Sequence, residues 1–390
     1  MHLAHNSHLA YCTNIHRGGD WPETLDSLDR FTLAVRDQAC PEDEYAIGLR
    51  LGASAARELS DPKTLLAFQK WLEKNNCYVF TINGFPYGNF HGARVKDQVY
   101  RPDWTTRERL DYTKLLFEVL CKILPDGLEG SVSTLPGSFK RFIDSDNQRA
   151  AINNNLIECA EYIDRLSELT GHTLHLGLEP EPLGYFETSQ ESVTFFDQLI
   201  ERAPDKEELI LRRLGINYDT CHLAVEYESA EESLARLVEW GILISKIHIS
   251  SAVKVTDFSE ATLALLDGFC EEVYLHQVVA QSRGKPLNRY EDLDVALEAR
   301  RSCKDTSEEW RIHFHIPVHA HPEPPIYPTN DHILGTLDFL QEFPGSCRHF
   351  EMETYTWEVL PEHIGNTDVV DQLVKEYQWT LREFELRGLC

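Results

Sequence analysis

The sequence predicts an α/β protein built as a closed (β/α)8 barrel. Eight short β-rich runs alternate with amphipathic helical stretches along the 390 residues, an order typical of βα units around a parallel sheet. Four of the later runs end in a residue of a metal-binding type, and strand ends are where such barrels carry their sites. An open doubly wound sheet is the alternative, but no glycine-rich phosphate loop follows the first run.

The predicted strands are bounded by turn residues and by helix start and stop signals. They cover 9–15, 45–51, 78–83, 130–134, 173–178, 214–218, 244–249 and 348–354. Asp61 before Pro62 is typical of a helix N-cap. Thr105-x-x-Glu108 and Thr188-x-x-Glu191 resemble capping boxes. Gly171 is expected to end a long helix that starts near residue 144.

The spacing between the strand-end ligands is regular except at one place. Glu179 and Asp219 are 40 residues apart, and Asp219 and His248 are 29 apart, so each interval fits one βα unit. His248 and Glu353 are separated by 105 residues. We therefore expect a single domain, 1–390, with an insertion over 254–328 between the seventh and eighth strands. Its β-like pair, 273–280 and 311–318, is predicted to form a lid over the barrel mouth.

Composition excludes several classes of partner. The formal net charge of −27, without a basic stripe, disfavours nucleic acids and anionic membranes. No run approaches the roughly 20 apolar residues of a membrane span, and the N-terminus does not resemble an export signal. Ten scattered cysteines without a CxxC pair indicate reduced thiols, so we expect a cytoplasmic protein. The oligomeric state stays open.

The strand-end ligands are Glu179, Asp219, His248 and Glu353. Because alternate residues of a strand face opposite sides, each of the four lies on the polar face of its run, and the apolar face is left for packing under helices. Carboxylates crowded at one rim repel one another, and a divalent cation removes that repulsion. The alternative is a hydrogen-bonded polar interior that holds no metal.

Further polar residues are candidates for a second metal or for substrate. His222 follows Asp219 in Asp-Thr-Cys-His, and the insertion carries His276 and the His313-x-His315 pair. An amphipathic hairpin with exposed histidines is the alternative for the insertion. Loops at strand ends concentrate binding residues. The predicted substrate contacts are Asn83, Tyr87, His91, Arg50 and Glu181.

Several motifs resemble those of the EboE-type metabolite traffic proteins, within the xylose isomerase-like barrels. They are Leu-Ala-Tyr-Cys-Thr-Asn-Ile-His, Thr-Ile-Asn-Gly-Phe-Pro-Tyr-Gly, Tyr-Arg-Pro-Asp-Trp, Asn-Tyr-Asp-Thr-Cys-His and Glu-Thr-Tyr-Thr-Trp-Glu-Val-Leu-Pro, and they span nearly the whole chain. The resemblance implies a protein of secondary-metabolite handling. In the sugar epimerases of this group, the residues matching the four strand-end ligands hold one divalent ion.

The resemblance also implies roles for individual residues. Glu179 and Glu353 would exchange protons with substrate, and His222 would contact it. In the endonuclease IV-like members, the Asp-x-x-His motif and further histidines gather several zinc ions. This chain departs from them by having His313-x-His315 where they have Asp-x-His.

The sequence therefore supports three hypotheses about function. The first is a metal-dependent isomerase or epimerase that acts on a sugar-like or cyclitol-like polyol, with Glu179, Glu353 and His222 as catalytic residues. The second is a multinuclear zinc phosphoesterase that also uses His222, His276 and His315. The third is a non-catalytic metabolite binder or traffic protein. The cofactor is expected to be one to three divalent ions (Zn, Mn, Mg or Co).

Overall fold

Eight parallel strands form a sheet that closes on itself. The structure, a computed structural model, describes residues 1–88, 96–356 and 368–390. The strands of the chain are β1 His8–Tyr11, β2 Tyr45–Arg50, β3 Cys77–Asn83, β4 Glu129–Thr134, β5 Thr173–Leu178, β6 Leu214–Asp219, β7 Leu243–Ile249, β8 Ser251–Val255, β9 Val278–Gln281, β10 Asn288–Tyr290, β11 Glu309–Ile316, β12 Ile326–Pro328 and β13 His349–Met352. The barrel order is β1-β13-β7-β6-β5-β4-β3-β2, and a parallel bridge between Cys12 and Gly48 joins the two edges.

The predicted (β/α)8 fold and its eight strands are confirmed. The first strand is shorter than predicted, because Thr13–Ile15 turns into a 3-10 helix at the rim. The eighth ends at Met352, two residues before the predicted limit. Closure of the sheet excludes the open doubly wound alternative.

Helices cover the outside of the barrel and the insertion. They are α1 Trp21–Ser27, α2 Leu33–Ala39, α3 Ala53–Leu59, α4 Pro62–Lys74, α5 Arg107–Ile123, α6 Asp146–Thr170, α7 Ser189–Arg202, α8 Glu207–Arg213, α9 Thr220–Val225, α10 Ala230–Glu239, α11 Glu260–Asp267, α12 Leu293–Arg301, α13 Asn330–Glu342 and α14 Val369–Glu385. Within the described ranges, none of them combines the length and the apolar character that crossing a bilayer requires.

The helix boundaries follow local side-chain chemistry. The Asp61 and Thr188 side chains accept backbone N–H bonds in the first turns of α4 and α7, and Gly171 ends α6 in the left-handed conformation with φ 76°, as predicted. The capping box predicted at Thr105 is wrong by one residue. Thr106 caps α5, because the Thr105 backbone N–H is taken by the Asp103 carboxylate.

The polar faces of the barrel strands point inward. His175 on β5 reaches Ser245 on β7, and His349 on β13 reaches Ser131 on β4, so both contacts cross the interior between strands that are not neighbours. The polar side chains inside the barrel leave no room for a side chain at Gly48. A β-carbon there would lie 2.0 Å from Glu351 Oε1, since β2 passes directly beside that carboxylate.

The chain between β7 and β13 forms a second sheet. Five antiparallel strands, β10-β9-β11-β8-β12, enclose an apolar cluster of their own that includes Phe314 and Trp310. The predicted β-like pair corresponds to β9 and β11, which pair with each other. A small cluster of Cys221, Val225, Ala252 and Val279 packs this sheet against α9. The insertion sheet therefore lies beside the strand-end rim.

Candidate metal centre

Four side chains from four strand ends converge at the rim. Ligand-type atoms of Glu179, Asp219, His248 and Glu353 all lie within 4.8 Å of one another, and all four side chains are buried. His248 Nδ1 is 2.9 Å from Glu179 Oε1, 3.0 Å from Glu353 Oε2 and 3.5 Å from Asp219 Oδ2. Bonds of about 2.0–2.6 Å to a common centre fit this spacing. We call these four residues the floor group.

The floor group has the bare donor atoms that a cation needs. Asp219 Oδ1 accepts from the Cys221 and His222 backbone N–H groups and from Ser250 Oγ. Its other oxygen, Oδ2, is buried and has no hydrogen-bond partner among the described residues. A buried carboxylate oxygen without a partner is costly, and a bound cation satisfies it.

Glu351 and Lys246 form a buried ion pair beneath His248. Glu351 Oε2 lies 3.0 Å from His248 Nε2 and also accepts from Lys246 Nζ at 2.6 Å. Because Nε2–H donates to this carboxylate, Nδ1 is left as the ligand atom that faces the floor group. A carboxylate behind a histidine fixes the tautomer and the orientation of a metal ligand.

The floor group carries strongly shifted pKa values. Burial alone would raise the pKa of Asp219, but His222 and His248 outweigh it and hold the pKa well below its ordinary value. For His248 the signs are reversed: burial alone would lower the pKa, but Glu353 and Glu179 raise it well above the ordinary range. Without a cation, the carboxylates are therefore neutralised by a protonated imidazole, which a divalent ion would replace.

Two amide side chains orient Glu353. Asn14 Nδ2 donates to Glu353 Oε1 at 2.7 Å, and Asn83 Nδ2 approaches the same oxygen at 3.3 Å. Asn14 follows β1 within the short 3-10 helix, and Asn83 ends β3. Because Oε1 is held by amide donors, Oε2 is the oxygen that lies nearest to His248.

Three imidazoles form a second cluster directly above the floor group. His222 Nε2 is 3.0 Å from His313 Nε2, which is 3.2 Å from His315 Nε2. We call His222, His313 and His315 the histidine cluster. Asp219 is shared, since its ligand atoms also lie within 4.8 Å of those of His222 and His315. Asp219 Oδ2 is 4.0 Å from His222 Nε2 and thus lies between the two groups.

The hydrogen bonds of the histidine cluster fix its tautomers. Each Nδ1 faces an acceptor: the Pro180 carbonyl for His222 at 3.0 Å, Gln277 Oε1 for His313 at 2.8 Å, and the Glu353 carbonyl for His315 at 2.9 Å. The Gln277 amide cannot be reversed, because its Nε2 donates to the Pro182 carbonyl. The three Nε2 atoms are therefore the free ligand positions, and imidazole nitrogens suit zinc.

A pocket that is partly open to solvent lies above both groups. It measures about 600 Å³ with its mouth, and the floor residues Glu179 and Glu353 line it together with His222 and His313. Aromatic and apolar walls come from the barrel and from the insertion. These walls are Phe85, Pro86, Val99, Tyr100, Tyr274, Leu275 and Tyr355. Glu181 also lines the pocket, and burial raises the pKa of its carboxyl to about 8.

Comparison with solved structures identifies the fold. An L-ribulose 3-epimerase matches at 11% identity over 99% of this chain and 96% of its own, with a TM-score of 0.53. The two proteins share the (β/α)8 barrel fold. A D-psicose 3-epimerase from Clostridium cellulolyticum H10, solved with D-tagatose, matches at 12% identity over 98% and 99% of the two chains, with a TM-score of 0.51. No family model and no curated protein sequence matches the chain.

At these identities the likeness concerns the fold alone. The EboE-type resemblance rests on sequence motifs and stays a prediction. Within the barrel, the four residues predicted from strand ends do converge as the floor group, with the predicted residues His222, His315, Asn83 and Glu181 around them.

Three other predicted residues lie elsewhere. Both ring nitrogens of His276 are engaged, Nδ1 with the His313 carbonyl at 3.0 Å and Nε2 with Glu271 at 3.1 Å, so this residue supports His313 from behind. Arg50 donates to the carbonyls of Gly18 and Pro86 and joins two loops. Tyr87 donates to Glu108 on the helical side. His91 lies outside the described residues.

The sequence interpretation missed Asn14, Gln277 and the final place of His313. Asn14 has the sequence feature that identified the other site residues, because it is a polar residue shortly after a strand. The His313 side chain takes the position that the phosphoesterase hypothesis gave to His276. Strand parity predicted that His313 and His315 share a face, but it did not predict which histidine of the insertion meets His222.

Proposed function

We propose that this protein is a metal-dependent isomerase or epimerase of a sugar-like or cyclitol-like polyol. The observation that carries the proposal is the pair Glu179 and Glu353. Their oxygens lie 2.9 and 3.0 Å from one His248 nitrogen, at the floor of a pocket large enough for a small polyol. Two carboxylates at one centre match a reaction in which one removes a proton and the other returns it.

The floor group would hold the cation. A divalent ion bound there would polarise a substrate carbonyl and the neighbouring hydroxyl, which acidifies the hydrogen beside the carbonyl. Glu179 or Glu353 removes that hydrogen as a proton. The other residue, as the protonated carboxyl, delivers a proton to the same carbon in an epimerisation or to the former carbonyl carbon in an isomerisation. Asn14 and Asn83 keep Glu353 oriented for this transfer.

The pocket chemistry favours an uncharged substrate. The Asn14 amide and the Tyr100 hydroxyl are neutral hydrogen-bonding groups in the pocket wall, and aromatic rings beside them can cover a sugar face. Among the described lining residues, Lys96 is the one Lys or Arg side chain, and its ammonium group already donates to Asp292 at 2.6 Å. The net charge of −27 further disfavours a nucleic-acid substrate, and we keep the cytoplasm as the expected location.

Solvent exchange tests the proposal. Metal-loaded protein would be incubated in deuterated water with a panel of ketoses and keto-cyclitols, and substrate mass would be followed. We expect one deuterium per turnover in the wild type, and its loss in Glu179→Gln and Glu353→Gln. Glu239→Gln, on the exposed end of α10, serves as the control. Exchange at the wild-type rate in both site variants would contradict the assigned roles.

The histidine cluster favours a second candidate function, a two-metal phosphoesterase. With Asp219 between the two groups, the floor group and the histidine cluster could hold neighbouring cations, as in two-metal hydrolases. Two zinc ions per chain at the rim, counted as those that Asp219→Asn/His222→Gln removes, together with phosphate release from a small phosphate monoester, would support this candidate. One such rim ion and deuterium incorporation support the isomerase.

A non-catalytic metabolite binder is the third function to separate. It would return every bound polyol unchanged and undeuterated from the metal-loaded protein. Three carboxylates at the floor exceed what hydrogen bonding to a neutral polyol requires, so this candidate ranks last. The same exchange experiment distinguishes it from both enzymes when phosphate release is measured in parallel.

A further inference from the structure

A second group of metal-type ligands lies at the opposite end of the barrel. Glu129 and His349 are the first residues of β4 and β13, and His175 is the third residue of β5. Ligand-type atoms of these three residues lie within 4.8 Å of one another. They line a cavity of about 420 Å³ at the lower face, which is separate from the rim pocket.

The hydrogen bonds of His349 leave one ring nitrogen bare. Ser131 Oγ donates to Thr81 Oγ1 at 2.7 Å, so it accepts from His349 Nδ1–H at 2.8 Å. His349 Nε2 therefore carries no hydrogen and presents a lone pair. The side chain is only 1% exposed, so this nitrogen is buried, and it has no hydrogen-bond partner among the described residues. A buried acceptor without a partner calls for a ligand.

The His175 ring is also held by a serine. Its Nδ1 lies 2.6 Å from Ser245 Oγ, so a serine from across the barrel, on a strand that is not a neighbour, orients each of the two rings. Hydroxyl or carbonyl partners on Nδ1 are typical of histidines that bind metal through Nε2. Burial lowers the pKa of His175 to about 3 and that of His349 well below its ordinary value, so both rings are neutral at physiological pH.

Glu129 is the anionic member of the group, and it lies on the side of the cavity that is open to solvent. Its carboxylate is about one-third exposed and pairs through Oε1 with Arg348, which is itself 44% exposed. Glu129 also lines the cavity. The wall on this side includes the exposed Gly345, so an ion can enter without disturbing the barrel.

We propose that Glu129, His175 and His349 form a zinc-type cation site at the lower face of the barrel. Two imidazoles and one carboxylate suit zinc better than magnesium or calcium, which prefer oxygen ligands alone. The ion would join β4, β5 and β13, which are not all neighbours in the sheet. Its role is to cross-link the barrel end away from the rim, and it does not depend on the function proposed above.

Zinc binding to a protein with a disabled rim tests this site. In an Asp219→Asn/His222→Gln background, equilibrium dialysis against ZnCl2 followed by elemental analysis should still give one zinc per chain. Adding His349→Gln should remove it. Adding His172→Gln, which changes a partly exposed histidine just before β5, should not. Ser131→Ala should weaken the affinity by about 10–100-fold, the usual effect of losing an outer-shell partner.

Two outcomes would overturn the proposal. One is the absence of zinc from the rim-disabled protein, and the other is retention of that zinc when His349 is replaced. If the rim-disabled background does not fold, the number of zinc ions per chain is compared between the wild type and the single variant His349→Gln. The variant should bind one zinc fewer per chain and keep the rim activity. An unchanged stoichiometry would refute the site. Failure of the isomerase proposal would appear only in the exchange assay.

Discussion

The Nε2 atoms of His222 and His313 lie 3.0 Å apart, although His222 belongs to the barrel helix α9 and His313 to the insertion strand β11. In both rings Nδ1 faces a hydrogen-bond acceptor, so two lone pairs would meet unless a proton or a cation lies between them. Burial lowers the pKa of His222, but Asp219 and Glu179 outweigh it and raise that pKa. The contact therefore needs a proton or a cation between the two rings.

A metal in the histidine cluster should tie the insertion to the barrel. We expect zinc to slow amide hydrogen exchange in β9 and β11 and chelation to accelerate it, because the ion would bridge α9 and β11. Exchange followed by mass spectrometry, with and without EDTA, measures the effect. Helix α4, outside the rim, is the internal control. His315→Ala should abolish the difference, and equal acceleration in α4 would contradict a local bridge.

Asp219→Asn should remove metal without unfolding the rim. An asparagine oxygen still accepts the N–H bonds of Cys221 and His222, but an NH2 group replaces the bare Oδ2. We expect the affinity for the ion to fall by at least about 100-fold, more than for an outer-shell change. Calorimetric titration measures it. Ser250→Ala, which removes only one bond to Oδ1, is the matched control, and equal losses in the two variants would argue against Oδ2 as a ligand.

Lys246→Met should destabilise the barrel strongly. Lys246 and Glu351 are both fully buried and 2.6 Å apart, so removing the ammonium leaves a charged carboxylate under His248. Breaking such a pair costs about 3–5 kcal/mol in unfolding free energy. Urea denaturation measures the loss. The double variant Lys246→Met/Glu351→Gln should recover part of it, whereas a loss below about 1 kcal/mol in the single variant would show that the pair is not needed.

Glu376 should make stability fall as pH rises. Burial raises the pKa of this carboxyl from 4.5 to about 7. The folded state binds the proton more tightly, so the stabilisation is complete below pH 4.5 and is lost as pH rises through 7. The loss is about 3 kcal/mol, because each pKa unit corresponds to about 1.4 kcal/mol.

Glu376→Gln tests this relationship. A glutamine oxygen keeps the acceptor for Thr354 Oγ1 at 2.8 Å and for the Val318 backbone N–H at 3.2 Å. We expect the variant to match the wild type near pH 4.5 and to be more stable at pH 8. Unfolding by urea between pH 4 and pH 8.5 gives the two curves. A difference that does not change with pH would assign the effect to packing and not to ionisation.

Much of the floor group was predictable because period-two alternation is a local property. Glu179, Asp219, His248 and Glu353 each end a strand on its polar face, and parallel strands carry their ends to one rim. Asn14 and Asn83 follow the same rule. The histidine cluster was predictable only in part, because the insertion carries both His313 on β11 and His276 just before β9, and long-range pairing chose between them.

By itself, the sequence determined the barrel, the order of its strands and the four floor ligands, since hydrophobic period and strand-end position are set within each segment. Tertiary structure decided which histidine of the insertion meets His222, that Arg50 and Tyr87 serve loops, and that His175 and His349 meet beneath the barrel. The reason is physical. These contacts join residues at least 21 positions apart, through strand pairing in the insertion, loop contacts and a closed sheet whose registers no local pattern specifies.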